Sequence, residues 1–125
     1  MVKKKIAKRM AFVAASAAFA AVVVAQPASA AQVSAYYQGT HAAVDNSPGN
    51  GSAGWVWVYG STQGTALSGS IDYRLWDGSS GSLTARTGQT QSRNTNSDIR
   101  EFRACTNRTI DSFPVSSCGA WVSFG

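Results

Sequence analysis

The sequence lacks several residues on which common functions depend. It has one histidine and two cysteines in 125 residues, and no lysine follows residue 30. One histidine and two cysteines are fewer than the four ligands that a structural zinc site usually has. The two cysteines also do not form the C-x-x-C motif of a redox site. Gly-x-Ser-x-Gly, the motif of a hydrolase nucleophile elbow, is absent as well. These absences disfavour an enzyme, and we expect no catalytic residue, metal or cofactor.

Positive charge is concentrated at the start of the chain. The formal net charge is +5 at pH 7, but six arginines balance six acidic residues after residue 30. Nucleic acids and anionic membranes are bound by a basic surface that neutralises phosphates. We therefore expect neither of them as a partner of the mature protein.

Residues 1–30 have the pattern of a cleaved secretory signal peptide. An apolar segment over residues 10–25 and a peptidase site at Ala28-Ser29-Ala30 follow five basic residues, Lys3, Lys4, Lys5, Lys8 and Arg9. An uncleaved membrane anchor is the alternative, but a membrane span needs about 20 apolar residues. The sequence therefore predicts one secreted, extracellular domain over residues 31–125.

The only two cysteines, Cys105 and Cys118, are expected to form an intramolecular disulfide. Export to an oxidising compartment permits the bond, and a domain this small benefits from it because it buries little surface. Closing the intervening loop, residues 106–117, should stabilise the domain by about 3 kcal/mol.

Apolar and polar residues alternate with a period of two after residue 30, and no helical period appears. The clearest strand is Trp55–Tyr59, in which Trp55, Trp57 and Tyr59 share one face and Val56 and Val58 the other. Residues 67–75 predict a strand with a single apolar face made of Leu67, Gly69, Ile71, Tyr73 and Leu75.

Weaker strand patterns cover residues 32–38, 40–44, 83–85, 99–106 and 118–124, and residues 87–97 read as a polar loop or exposed edge. The sequence thus predicts an all-β fold, a small antiparallel β-sandwich or partly open barrel of about six or seven strands. The register of the last hairpin stays open. If Cys105 faces Cys118, Phe102 opposes Trp121. In that register the apolar residues of the hairpin lie on both faces, so a bulge or another register is the alternative.

The second half of the mature chain, from Ile71 onward, resembles a family of small exported β-domain proteins of actinobacteria. The likeness rests on Phe102-Arg-Ala-Cys105 and Cys118-Gly-Ala-Trp121, a closing "F-R-x-C … C-x-x-W" hairpin after an alanine-rich signal and a Gly/Ser-rich region. The resemblance implies export and a β-sandwich architecture. It implies no catalytic residue.

Two aromatic features are candidate binding sites. Trp55, Trp57 and Tyr59 form either a flat platform for sugar rings or another apolar ligand, or the core of the domain. The core is the favoured interpretation, because a small domain with few leucines needs its aromatic area inside. Trp76 is the first choice for an exposed contact residue, since it lies on the polar face of its strand beside the Asp77-Gly78 turn.

The other motifs favour structural roles. His41 is expected to be a surface or strand-end residue. Gly49–Gly54 matches G-x-G-x-x-G, but a strand follows it where a nucleotide-binding loop needs a helix. A calcium ion could take oxygen ligands from one loop that contains Asp45, Asn46 and Asn50, but the EF-hand pattern is absent. The carboxylates of Asp72, Asp77, Asp98 and Glu101 have arginines nearby in sequence and favour ion pairs over acid–base chemistry.

The sequence thus favours a secreted, noncatalytic binding or interaction module that acts at the cell wall or on an extracellular partner. The expected partner is a cell-wall glycan or an extracellular protein, and no oligomeric state is indicated. An exported inhibitor or antibacterial effector that uses residues 106–117 is the alternative. A small enzyme is the least favoured interpretation.

Overall fold

The computed structural model describes residues 32–123, all of which belong to one compact unit. These residues form strands and turns, without a helix. The predicted signal peptide, residues 1–30, lies outside the described range. The strands are β1 (Gln32–Tyr37), β2 (Thr40–Asp45), β3 (Gly54–Tyr59), β4 (Ala66–Leu75), β5 (Ser80–Arg86), β6 (Thr90–Thr95), β7 (Ile99–Ile110), β8 (Phe113–Cys118) and β9 (Val122–Ser123).

The strands form two antiparallel sheets that enclose a common core. Sheet 1 has the order β1-β2-β3-β6, and sheet 2 has the order β5-β4-β7-β8, with β9 also paired to β7. The all-β sandwich-like fold predicted from the sequence is confirmed. Nine strands are described, more than the predicted six or seven. Residues 90–95 pair with β3 as an edge strand, and the C-terminal region contributes β8 and β9 separately.

The core contains one face of each sheet. Sheet 1 supplies small side chains, among them the fully buried Val56 and Val58. Sheet 2 supplies the large ones, chiefly Ile71 and Phe102, and Ile99 at the start of β7 fills the space beside them. The predicted placement of Trp55, Trp57 and Tyr59 in the core is wrong: their positions on β3 alternate with the buried valines, and they lie on the outer side.

The apolar face predicted for β4 is correct over most of its length. Ile71, Tyr73 and Leu75 are buried, as is Gly69, but Leu67 is 54% exposed. The pairing of β4 with β7 shifts register between Ala66 and Ser68, which breaks the alternation at Leu67. The error therefore comes from a bulge that the period-two pattern does not contain.

Two buried hydroxyl groups connect the sheets. The Thr106 hydroxyl on β7 donates to the Tyr37 carbonyl at 2.8 Å, and its oxygen lies 2.8 Å from the Thr40 hydroxyl on β2. Both threonines are fully buried. The mutual hydrogen bonds satisfy polar atoms that would otherwise be costly to bury, and they hold the β1–β2 turn against β7.

The predicted disulfide joins Cys105 and Cys118, which lie directly opposite each other on β7 and β8. Residues 106–117, predicted as a loop, instead continue both strands into a hairpin that turns at Asp111 and Ser112, both with positive φ. Two consecutive positive-φ residues are typical of a two-residue hairpin turn.

The last strand is displaced by one residue relative to the cysteine register. Phe102 pairs with Val122 rather than with Trp121, so the register that the sequence left open is the displaced one. The Gly119 N–H donates to the Ala104 carbonyl at 2.9 Å, and the chain leaves regular pairing over residues 119–121 before β9 begins. This irregularity brings Val122 to the core and leaves Trp121 on the outside of sheet 2.

Candidate functional site

Strand register gathers aromatic side chains on the outer surface of sheet 1. Tyr36 pairs with His41, and His41 pairs in turn with Tyr59. Trp57 and Trp55 alternate with the buried valines of β3 and therefore share this side. Directly paired residues of antiparallel strands project to the same side of a sheet. We call this surface the aromatic face, defined by Tyr36, His41, Trp55, Trp57 and Tyr59.

Three of the five rings of the aromatic face, those of Tyr36, His41 and Trp57, contact each other across the strands. The ring centroids of Tyr36 and His41 are 4.2 Å apart and nearly parallel, and those of His41 and Trp57 are 4.9 Å apart, edge to face. Tyr36 is 70% exposed, and the other four side chains are partly exposed. Along β3, the positions of Trp55 and Tyr59 are about 14 Å apart at the usual rise of a strand. The surface is therefore a preformed, extended row of rings.

Polar side chains surround the rings. The register places serine, threonine and amide side chains on the same side of β1 and β6, and Asp45 on β2 carries the only formal charge among these outward positions. The only aliphatic side chain at these positions is Ala43. Ala43 is buried beneath its neighbours, and the exposed or partly exposed non-aromatic residues of the surface are Gln32, Ser34, Asp45, Thr90, Ser92 and Asn94.

A shallow cleft of about 250 Å³ lies at the Trp55 end of the aromatic face. Its walls are built by the ends of β1, β2 and β3 and by the loop over residues 46–53. The Asn50 side chain donates to Asn94 Oδ1 at 2.9 Å and accepts from the Ser52 N–H, which fixes the loop against β6. The residues that line the cleft are Gln32, Asp45, Pro48, Asn50 and Trp55.

His41 is the second residue of β2 and lies on the outer surface of sheet 1, in agreement with the predicted surface or strand-end position, and it is part of the aromatic face. Its Nε2 lies 3.1 Å from the Ser34 hydroxyl, and its ring is packed between Tyr36 and Trp57. Burial lowers the pKa of His41 below 6.5, because removal of water disfavours the charged imidazolium. The imidazole is therefore neutral at pH 7 and acts as a third aromatic ring between its two neighbours.

This lowered pKa predicts a pH-dependent stability. The unfolded chain has an ordinary histidine pKa of about 6.5, so on acidification it takes up the proton before the folded protein does. The free energy of unfolding therefore has its full value, as far as His41 is concerned, above that pH. It decreases as the pH falls toward the lower pKa of His41 in the folded state. Urea denaturation between pH 8 and pH 5 should show this loss in the wild type. His41→Phe, which keeps a ring beside Tyr36, should lack it; an identical pH profile would contradict the assignment.

Trp76 is 60% exposed and lies away from the aromatic face, in the turn between β4 and β5 of sheet 2. Its backbone N–H donates to the Asp98 carbonyl, and the Arg100 guanidinium carbon lies 5.8 Å from its ring centroid. The turn is held by Ser79, whose hydroxyl and N–H both donate to Asp77; these bonds lower the pKa of the Asp77 carboxyl group. The proposed role of Trp76 in binding stays a prediction.

The outer side of sheet 2 carries ion pairs stacked on an indole. Arg74 pairs with Glu101 at 2.6 Å and Arg103 with Asp72 at 3.1 Å, and both guanidinium groups lie over the ring of Trp121. The ion pairs predicted for Asp72 and Glu101 are thus confirmed, whereas Asp77 and Asp98 form none with the residues that the structure describes. Asp72 also lies near the cysteine sulfurs, but these form the disulfide and are not available as thiolate ligands.

Two loop motifs have structural positions. The Gly49–Gly54 segment connects β2 to β3, so a strand follows it as the sequence predicted. The Asn46 side chain donates to the Ile99 carbonyl at 3.0 Å and accepts from the Ile99 N–H at 2.8 Å. Because Asn46 is engaged with β7, it does not share a ligand set with Asp45 and Asn50.

Comparison of the chain with protein families, curated proteins and solved structures finds no significant match. Within residues 32–123 there is no helix of the length and hydrophobicity that a membrane crossing requires.

Sequence reasoning found three of the five aromatic residues but missed how they are assembled. Tyr36 alternates with Val33, Ala35 and Tyr37, so the pattern does place it on the polar side of β1. Its contact with His41, and the contact of His41 with Trp57, depend on pairing between strands. The cleft depends likewise on the register that sets Gln32 and Trp55 on either side of Asp45.

Proposed function

We propose that this protein is a secreted, noncatalytic glycan-binding module that uses the aromatic face to bind an extended carbohydrate, such as a cell-wall polysaccharide. The observation that carries the proposal is the row of partly exposed rings on the outer side of sheet 1, bordered by hydroxyl and amide side chains. A contiguous aromatic surface kept outside the core is typical of an interaction site.

The composition of the face favours a carbohydrate over a protein partner. A sugar ring has a C–H surface that stacks on an aromatic ring and hydroxyl groups that pair with serine, threonine and amide side chains. Protein interfaces also use tryptophan and tyrosine, but they are enriched in methionine and arginine as well. The outward positions of sheet 1 carry neither.

A location outside the cell is part of the proposal. The Cys105–Cys118 disulfide fits an oxidising compartment, and the N-terminal sequence has the pattern of an export signal. The resemblance to exported actinobacterial proteins agrees with this location. Cell-wall polysaccharide is the extended glycan that an exported bacterial protein meets first.

The proposal predicts that Trp57→Ala reduces retention on purified cell-wall polysaccharide, or on insoluble glycans of known composition, by at least about tenfold. Trp57 lies at the centre of the row, and loss of an aromatic anchor typically costs about 2 kcal/mol or more of binding free energy. Affinity electrophoresis and pull-down on the insoluble polymer measure the effect.

Trp76→Ala is the matched control, because it makes the same change on the other sheet. If the aromatic face rather than Trp76 is the binding site, Trp76→Ala should keep retention close to wild type and should change stability by no more than about 0.5 kcal/mol, as for ordinary surface changes. Loss of retention in Trp76→Ala with unchanged retention in Trp57→Ala would move the site to Trp76 and overturn the proposal for the aromatic face.

An exported inhibitor or antibacterial effector is the second candidate function. It is favoured by the β7–β8 hairpin, which extends beyond the last pair of β7 with β4, Arg108 with Ala66, and exposes Ile110, Phe113 and Val115. Growth or protease inhibition that is lost on Phe113→Ala and kept on Trp57→Ala would favour this function.

A further inference from the structure

Asp45 carries the only formal charge at the outward positions of sheet 1, and it lies at one end of the aromatic face. It sits between Gln32 and Trp55 in the register of β1, β2 and β3, and it lines the 250 Å³ cleft. The side chain is partly buried. A ligand group that entered the cleft beside Trp55 would therefore contact this carboxylate.

No cation of the described residues 32–123 pairs with Asp45. The ion pairs in this region of the chain involve Asp72 and Glu101 only. Arg93 is the one arginine of sheet 1, but it pairs in register with the buried Val56 and is directed to the other side of the sheet, where it donates to the Tyr73 hydroxyl at 3.2 Å. The negative charge at the cleft is therefore not compensated by this part of the protein.

The oxygens of Asp45 also have capacity for a ligand. The Ser47 N–H donates to Oδ1 at 2.7 Å, and no described group donates to Oδ2. An ionised carboxylate accepts about four hydrogen bonds over its two oxygens. The bond from Ser47 orients the carboxylate while leaving most of this capacity open.

We propose that this cleft binds the protonated amine of an amino sugar, so that the preferred ligand of the aromatic face is a glycan with free amino groups. This inference rests on the proposed glycan-binding function. An ammonium group donates to the Asp45 carboxylate and neutralises its charge, and the Trp55 ring adds a cation–π attraction. A hydroxyl or acetamido group makes the hydrogen bonds without the charge, and a uronic acid is repelled. The order of preference is therefore free amine, then neutral sugar, then acidic sugar.

The test compares glucosamine oligomers of equal length that are either fully N-acetylated or fully de-N-acetylated, by isothermal titration calorimetry at a mildly acidic pH that protonates the amines. The wild type should bind the de-N-acetylated oligomer about tenfold more tightly, which corresponds to about 1.4 kcal/mol. Asp45→Asn should bind the two oligomers with equal affinity, because the amide that replaces the carboxylate has no charge with which to favour the ammonium group. Added salt should reduce the wild-type preference, because the pair is near the surface.

Asp111→Asn is the control for net charge. It removes the same charge at the tip of the β7–β8 hairpin, in an exposed position whose positive φ asparagine tolerates. The preference for the amine should persist in this variant. A preference that survives Asp45→Asn, or that disappears equally in Asp111→Asn, would overturn the inference because the charge of the cleft would not be its cause.

The outcomes separate this inference from the proposed function. If the wild type binds both oligomers equally and Trp57→Ala binds neither, the glycan-binding function is supported and the role of Asp45 is contradicted. Absence of binding to either oligomer and to cell-wall polysaccharide removes the function and the inference together.

Discussion

Phe102→Ala is expected to lower the free energy of unfolding by about 3–5 kcal/mol, the usual cost of deleting a buried phenylalanine ring. Phe102 is the largest fully buried side chain among residues 32–123. It lies on β7 between Tyr73 of β4 and Val122 of β9, so its ring connects three strands of sheet 2 to the core. The small alanine and valine side chains of sheet 1 have no volume with which to refill the cavity.

The measurement is urea denaturation at pH 7, with Phe113→Ala as the matched control. Phe113 lies on β8 and is 71% exposed, so the same chemical change there should alter stability by no more than about 0.5 kcal/mol. Equal destabilisation by the two substitutions would mean that the core does not lie between the sheets at Phe102.

Replacing both cysteines by alanine is expected to destabilise the domain by about 2–5 kcal/mol, the range for a native disulfide of a small secreted domain. The bond closes a segment with a sequence separation of 13. Its loss gives the unfolded chain more conformations, and in the folded state it frees β8 at the residue before the irregular segment that leads to β9. Val122 is held against the core through that segment.

Thermal and urea denaturation of Cys105→Ala/Cys118→Ala, compared with wild type in the presence and absence of reductant, test this expectation. Reduced wild type and the double variant should unfold alike, and hydrogen exchange should increase over residues 113–123. The far-ultraviolet circular dichroism of any folded fraction should remain that of a β protein. A midpoint equal to that of the oxidised wild type would show that the disulfide does not contribute to stability.

Local alternation determined the central strands of this fold, β3 and β4. The division of β3 into a valine side and an aromatic side, and the burial of Ile71, Tyr73 and Leu75 on β4, follow from a period of two that is a property of neighbouring residues. The disulfide was equally accessible to sequence reasoning, because two cysteines permit one pairing and Cys105 and Cys118 form it.

Alternation identifies two faces of a strand but not which one is buried. On β3, the sequence favoured the larger aromatic side as the core, and the structure buries Val56 and Val58. The reason lies on the opposing sheet, where Ile71 and Phe102 already supply the volume that the core requires. Complementary volume across two sheets depends on residues far apart in sequence, so the composition of one strand does not reveal it.

Tertiary structure alone decided the register and, with it, the candidate site. The shift between Ala66 and Ser68 exposed Leu67, and the displaced β9 exchanged Trp121 for Val122 at the core. Pairing of β1, β2 and β3 brought Tyr36 against His41 and set Asp45 beside Trp55. The sequence by itself determined the main strand-forming segments, the disulfide, and which residues of a strand share a face. Which of them meet was decided by hydrogen bonding between strands, because that pairing depends on the whole sheet and not on the order of residues within one strand.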